Sequence, residues 1–303
     1  MNFLHLDELK KIFILMLLRG LGSFFKFIVI YLLSLYLGAS GVGAFSLALT
    51  IISIGSVISK FGMEMVSLRF SAIFCDKNRW FDLQNFYIKI LSIVVIFGFL
   101  ISGITFIISD YLSINIFNKP EFSSALKVFV FSIILINILS IQSSILKGIG
   151  KIKESQLYEI IGTNFFFLLI ILSFKTSLNY YQLGIWFLFC NLLMAFIGHF
   201  RLLRFFKINY DFNQSYTSKP KFSYLYYLGI GLPLVFSNSA SLVISWTDIL
   251  MLGRYVDISQ VGIYTVSTRI SFFMGLGIMA INTLIAARIS TFYNNKKFHE
   301  IES

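Results

Sequence analysis

Leu37-Gly38-Ala39-Ser40-Gly41-Val42-Gly43-Ala44-Phe45 is the stretch that decides the fold, because part of it returns later in the chain. At an offset of 219 positions, Val42, Gly43 and Phe45 fall on Val261, Gly262 and Tyr264, and Arg69 and Ser71 fall without a gap on Arg288 and Ser290. The Leu37-Gly38 pair matches Leu252-Gly253 once about four residues are inserted. Hydrophobic runs flank both copies. An internal repeat of apolar hairpins points to a transport protein whose site lies where the repeats meet, near the bilayer midplane.

Composition agrees with a membrane chain. Of 303 residues 57% are hydrophobic and 13% charged, against roughly 25% charged in soluble domains. Eight stretches are long enough to cross a hydrocarbon core, which takes about 20 helical residues. They fall at roughly 12–37, 42–66, 86–109, 123–146, 156–175, 181–204, 225–252 and 260–290. Runs of this length and apolarity exclude barrel strands. The first is too long for a cleaved leader, holds Arg19 and Lys26, and leads directly into further spans. The expectation is therefore an all-α, polytopic membrane helix bundle. Residues 1–204 would form a six-helix lobe, 205–223 a cytoplasmic linker, and 224–303 the first two helices of a second, incomplete lobe.

The net charge of +11 follows topology. With the amino terminus on the cytoplasmic side, the inner loops and span ends hold 16 Lys and Arg, from Lys10 and Lys11 to Lys296 and Lys297. The outer side holds Lys119, Lys175 and Arg254, and the remaining six (25 − 16 − 3) lie within spans. This alternation is the positive-inside pattern. A nucleic-acid surface would cluster its charge beside aromatic platforms or a known module, and none is visible. Cys75 and Cys190 have neither metal-site nor disulfide spacing. His5, His199 and His299 are scattered. No cofactor or metal is expected, and no combination of acid, base and nucleophile marks an enzyme.

Charges inside spans cost at least ~2.5–3.5 kcal/mol each at the bilayer centre, so they need a reason. Arg19, Gly22, Ser23, Lys26 and Ser34 share a face of the first span. At 1.5 Å per residue Arg19 lies ~12 Å in and Lys26 ~22 Å in. Arg19 can snorkel to headgroups; Lys26 lies deeper, on a stripe that reads as lumen-facing. Span two aligns Ser46, Thr50, Ser53, Lys60 and Glu64, with the last two spaced as an i,i+4 ion pair. Gly229, Gly231 and Pro233 predict a bend or unwound turn in span seven. Asn238, Ser241, Ser245 and Asp248 follow on one face. Asp248 reads equally as a proton or sodium site, as a counter-ion, or as a boundary residue in water. Arg269 in span eight falls over Thr50 at the repeat offset, which aims it at the same lumen; the other reading is a pair with Asp248. Arg19, Lys26 and Arg269 against Asp248 leave a net positive cavity, which selects an anion.

At Arg19-Gly20-Leu21-Gly22, Leu37 to Phe45, Arg69, Gly231-Leu232-Pro233, Asp248 to Gly253 and Val261 to Tyr264, the chain resembles the polysaccharide-transport branch of the multidrug/oligosaccharidyl-lipid/polysaccharide flippase superfamily, O-antigen flippases in particular. The resemblance covers the whole chain through loose motifs. It implies two six-helix lobes, of which this chain would hold one and a third. It implies a bacterial inner-membrane protein that flips an undecaprenyl-pyrophosphate-linked oligosaccharide by alternating access. Arg19, Lys26 and Arg269 would meet the pyrophosphate, Asn238 and Ser241 the sugar hydroxyls, and Asp248 a coupling proton or sodium ion. Expected partners are the lipid-linked oligosaccharide and membrane lipid, with no nucleic acid. The alternatives are a peptidoglycan-precursor flippase, a drug exporter of the same superfamily, and a membrane-embedded polysaccharide polymerase.

Overall fold

The structure, a computed structural model, describes residues 6–173, 179–209 and 224–271, with the side chains of 6–13, 15, 16, 121 and 236–242 excepted. Ten α-helices and two π-helical segments, Leu112–Ile116 and Leu157–Gly162, occupy these residues. The α-helices are α1 (Leu6–Lys60), α2 (Met63–Asp76), α3 (Trp80–Tyr111), α4 (Pro120–Phe129), α5 (Ser132–Gly148), α6 (Ile152–Gln156), α7 (Thr163–Ser173), α8 (Tyr180–Ile208), α9 (Tyr224–Tyr255) and α10 (258–271). No strand occurs among the described residues. Among the described residues five helical tracts are long and apolar enough to cross a membrane: Leu17–Lys60, Trp80–Ile116, Phe122–Gly148, Ile152–Ser173 and Tyr180–Ile208.

The burial pattern is that of a protein dissolved in lipid. Ile96, Phe99, Ile107, Phe196 and Phe200 face outward, whereas Asn137, Gln142 and Ser143 are buried. Lipid tails attract apolar side chains as well as the core does, so polar groups have to find partners inside. Ser56 Oγ donates to Asn137 Oδ1 at 2.6 Å, and Asn137 Nδ2 donates to Ser59 Oγ at 2.7 Å, tying α1 to α5. Gln142 Nε2 donates to the Ala195 carbonyl at 3.0 Å, and Tyr87 Oη meets His199 Nδ1 at 2.8 Å, tying α3, α5 and α8. Between these layers Phe45 packs against Phe129, Phe167 and Phe187, with centroids 5.8, 5.7 and 5.9 Å away.

Several boundaries differ from the sequence reading. The first two expected spans form one continuous helical tract, kinked at Gly38, where φ is 68° and ψ is −173°. The second expected span is itself divided at Phe61 and Gly62, whose φ values are 44° and 70°. Despite that break Lys60 and Glu64 form the expected pair at 3.0 Å. The expected linker from 205 begins inside α8, which runs to Ile208, and 210–223 lies outside the described residues. The unwound turn expected near Pro233 is absent, and α9 is helical throughout. Instead the break sits on the neighbouring helix, where a Cβ on Gly62 would strike the Gly231 carbonyl and one on Gly231 would strike the Phe61 carbonyl. The missing side chains let two backbones touch there. The repeat positions Arg288 and Ser290 lie outside the described residues.

Candidate functional site

A cavity of about 560 Å³ opens between α1, α7, α8, α9 and α10. Both arms of α1 contribute residues that the sequence grouped on polar faces. Gly22, Ser23 and Lys26 come from the first arm of α1, and Ser46, Thr50 and Ser53 from the second. Thr50 and Ser53 satisfy their hydroxyls on the helix itself, donating to the carbonyls of Ser46 at 2.9 Å and Leu49 at 2.7 Å. Asn164 and Asn191 do likewise, donating to Ile160 and Phe187 carbonyls at 2.7 Å each. Ser245 and Trp246 of α9 and Arg269 of α10 complete the wall, over an apolar floor that includes Phe45, Phe167 and Phe187.

The structure brings together two of the three expected cations. Lys26 and Arg269 both line the cavity, close enough to repel one another. Neither forms an ion pair among the described residues, and the buried Nε of Arg269 has no hydrogen-bond partner there. Two like charges held together in a partly apolar chamber are unfavourable unless an anion joins them. Arg19 is exposed and does not line the cavity, as its helix position one turn before Gly22 and Ser23 allows.

Asp248 is exposed and stands outside the cavity lining. Its Oδ2 accepts a hydrogen bond from Tyr264 Oη at 2.8 Å, so α9 and α10 are joined by this contact and by no Asp248–Arg269 ion pair among the described residues. Asn238 and Ser241 lie on α9, two turns and one turn before Ser245 respectively, and their side chains lie outside the described residues.

A carboxylate missed in the sequence also reaches the wall. Glu159 stands in a π-helical segment, Leu157–Gly162, between α6 and α7. Lys147 Nζ donates to its Oε2 at 2.9 Å, and Ser143 Oγ donates to the same oxygen. One signal was legible: Asn137, Ser140, Ser143 and Lys147 recur along α5 at helical spacing. Lys147 is one of the 16 inner-side Lys and Arg that topology alone accounts for, which hid its partner.

At the end read as outer from the charge pattern, the helices are clamped in both directions. Lys119, in the turn before α4, donates to the Gly253 and Val256 carbonyls at the end of α9. Arg254 returns the contact, donating to the Asn115 and Ile116 carbonyls after α3. Burial lowers the Lys119 ammonium from its ordinary pKa, while the Asp257 charge acts in the opposite sense. Cations at helix carboxyl ends meet carbonyls that lack partners within the helix.

The fold and this chamber define a multi-pass membrane protein built around an internal, cationic, polar-walled cavity. The family described as polysaccharide biosynthesis protein matches residues 9–289, and the chain belongs to that family. This bears out the resemblance drawn from the sequence. No curated protein matches the chain. A solved chain described as protein A is similar in fold, with a TM-score of 0.58 at 17% identity, over 88% of this chain. The present chain spans 62% of that chain's length.

Proposed function

We propose that the protein is a flippase that carries a lipid-linked oligosaccharide across the bacterial inner membrane by alternating access, with a polyprenyl pyrophosphate as the charged element. The observation that carries this reading is the pair Lys26 and Arg269, unneutralised among the described residues and facing one cavity of about 560 Å³. That volume falls within the roughly 300–1,000 Å³ of ordinary ligand sites. A guanidinium fork and an ammonium suit phosphoryl oxygens. Serine, threonine and asparagine groups along the wall suit sugar hydroxyls, and Asn238 and Ser241 extend that face in this reading. The lipid tail would stay in the bilayer while the headgroup crosses. An inside-negative potential favours outward movement of negative charge by ~2.3 kcal/mol per charge per 100 mV.

The architecture that goes with this function has eight spans, six in a first lobe and two in a second, with the amino terminus cytoplasmic. Arg19 would meet headgroups at the inner surface before they enter. Asp248, held by Tyr264, would serve the second lobe as a counter-ion or as the site of a coupling proton or sodium ion. The family's character is that of a transporter, and the reading is non-enzymatic. A drug exporter of organic cations fits poorly with two cations in the chamber that form no ion pair among the described residues. A peptidoglycan-precursor flippase would share the pyrophosphate, and sugar selectivity would separate the two.

The test is binding to the purified full-length protein in detergent. The probes are a short-chain polyprenyl diphosphate and the matching uncharged polyprenol. The diphosphate should bind, the alcohol much more weakly, and Lys26→Ala and Arg269→Ala should each weaken diphosphate binding about tenfold or more. Equal binding of both probes, or unchanged binding by both variants, overturns the reading.

A further inference from the structure

The polar seam on α5 leads from the cavity towards the end read as inner. At the cavity wall Glu159 is held by Lys147 and Ser143, and Ser143 Oγ also meets Ser155 Oγ at 2.8 Å. Lys147 lies within electrostatic reach of a second carboxylate, Glu64. Glu64 pairs with Lys60 at 3.0 Å, and Lys60 Nζ donates to Ser140 Oγ at 3.2 Å. The charges therefore alternate in the order Lys60, Glu64, Lys147, Glu159, with hydroxyls beside each step. Beside Lys60 at one end, the Glu64 side chain is 40% exposed, and at the other end Glu159 lies on the cavity wall. Glu159 stands in the wide turn of a π-helix, a geometry that recurs at functional positions. The ion pairs alone would satisfy a structural role. Only Glu159 among these four also faces the chamber that holds Lys26 and Arg269.

We propose that Glu159 is a proton-binding site loaded together with the anionic headgroup, reached from the inner side along the α5 seam. This inference rests on the headgroup reading given above. In the empty cavity Lys147 from α5 faces Glu159 directly, and Lys26 from α1 and Arg269 from α10 share its chamber. Lys153 and Glu154 stand on the adjoining α6, and Tyr158 is its neighbour in the π-helical segment. On α8 the imidazole of His199 is engaged by Tyr87, and α7 presents no ionisable group. Lys147 is thus the cation in direct contact with Glu159, at 2.9 Å. A phosphoryl group bound to Lys26 and Arg269 brings negative charge into the same chamber and occupies two of the compensating cations. Like charge favours the protonated carboxyl. One proton then passes from inner-side water to the Glu159 carboxylate, giving the neutral acid, with no other bond changed. Proton and headgroup bind cooperatively and would travel in the same direction, which reduces the net charge carried per cycle.

Calorimetry on the purified full-length protein tests this with the same short-chain polyprenyl diphosphate. Titrations at one near-neutral pH in two buffers of different ionisation enthalpy give the protons taken up per probe bound. Comparison with Glu159→Gln cancels protons that belong to the probe. The wild type should take up roughly half a proton to one proton more than Glu159→Gln. The variant should bind the probe about 3–30-fold more tightly, because a like charge has left the chamber. Glu159→Asp should restore uptake. Failure of the wild type to bind the diphosphate in preference to the polyprenol overturns the headgroup reading itself. Normal binding with equal proton uptake by wild type and Glu159→Gln overturns the assignment of Glu159 and leaves the headgroup reading standing.

Discussion

Gly43 on α1 and Gly262 on α10 hold equivalent positions in the repeat and press their backbones together in a reciprocal contact. A Cβ on Gly43 would strike the carbonyl oxygen of Ile258 and lie 3.1 Å from the Gly262 nitrogen. A Cβ on Gly262 would strike the carbonyl oxygen of Ala39 and lie 3.0 Å from the Gly43 nitrogen. Ala39 and Ile258 are themselves 219 positions apart, so each copy makes the same contact with the other. Gly43→Ala or Gly262→Ala should therefore destabilise by about 1–3 kcal/mol through overpacking. The two should be markedly non-additive, since either one separates the same interface. Gly103→Ala is the control: its site on α3 is open, and the change should be neutral or slightly stabilising. Thermal unfolding in detergent compares the two single variants, their combination and Gly103→Ala with wild type.

Transport should separate the three cations that the sequence placed on one footing. Lys26→Ala and Arg269→Ala remove charge from the cavity, and each should lower surface polysaccharide about tenfold or more in cells that depend on the full-length protein. Arg19 is exposed outside the cavity, so Arg19→Ala should leave export within about threefold of wild type. Equal and severe loss in all three would place Arg19 on the substrate's route.

The outer clamp should control access from that side. Lys119 and Arg254 each cap the carboxyl end of a helix on the opposite side of the contact, and such cations contribute about 0.3–1 kcal/mol apiece. Lys119→Ala combined with Arg254→Ala should therefore favour opening by roughly fivefold. The readout is a membrane-impermeant thiol reagent acting on Ser40→Cys, beside the Gly38 kink, with Cys75→Ala and Cys190→Ala as background. Faster labelling in the double variant supports the clamp, and unchanged labelling removes it.

The sequence carried the membrane class and the cavity-facing stripes because both depend on local composition and periodicity, and the family through its motifs. Gly22, Ser23 and Lys26 recur at helical spacing, as do Ser46, Thr50 and Ser53, and both groups line the chamber. Arg269 was legible through the repeat, since Thr50 marks the same place in the first copy. What stayed hidden depends on contacts between distant segments. Nothing local to Phe61 and Gly62 announces that their break packs against Gly231, and Pro233, the conventional breaker, drew the expectation of an unwound turn to α9, whose helix runs through it. Glu159 was hidden for a related reason. It lies near a span boundary, where a carboxylate is ordinary, and only the fold shows Lys147 turning inward to meet it.

Asn137 gives a last, purely structural expectation. Its side chain is buried and holds two α1 hydroxyls, accepting from Ser56 and donating to Ser59. Asn137→Ala would leave the Ser56 hydroxyl without its acceptor inside the bundle and open a small cavity. An unsatisfied buried polar group costs ~1–3 kcal/mol, which sets the expected loss for Asn137→Ala. Ser59 also donates to the Gly55 carbonyl at 2.7 Å, so its hydroxyl keeps a partner in the variant. The penalty therefore falls mainly on Ser56, and Ser56→Ala in the Asn137→Ala background should add little further loss. Two penalties that simply add would show that the α1–α5 bridge does not hold the bundle together as drawn.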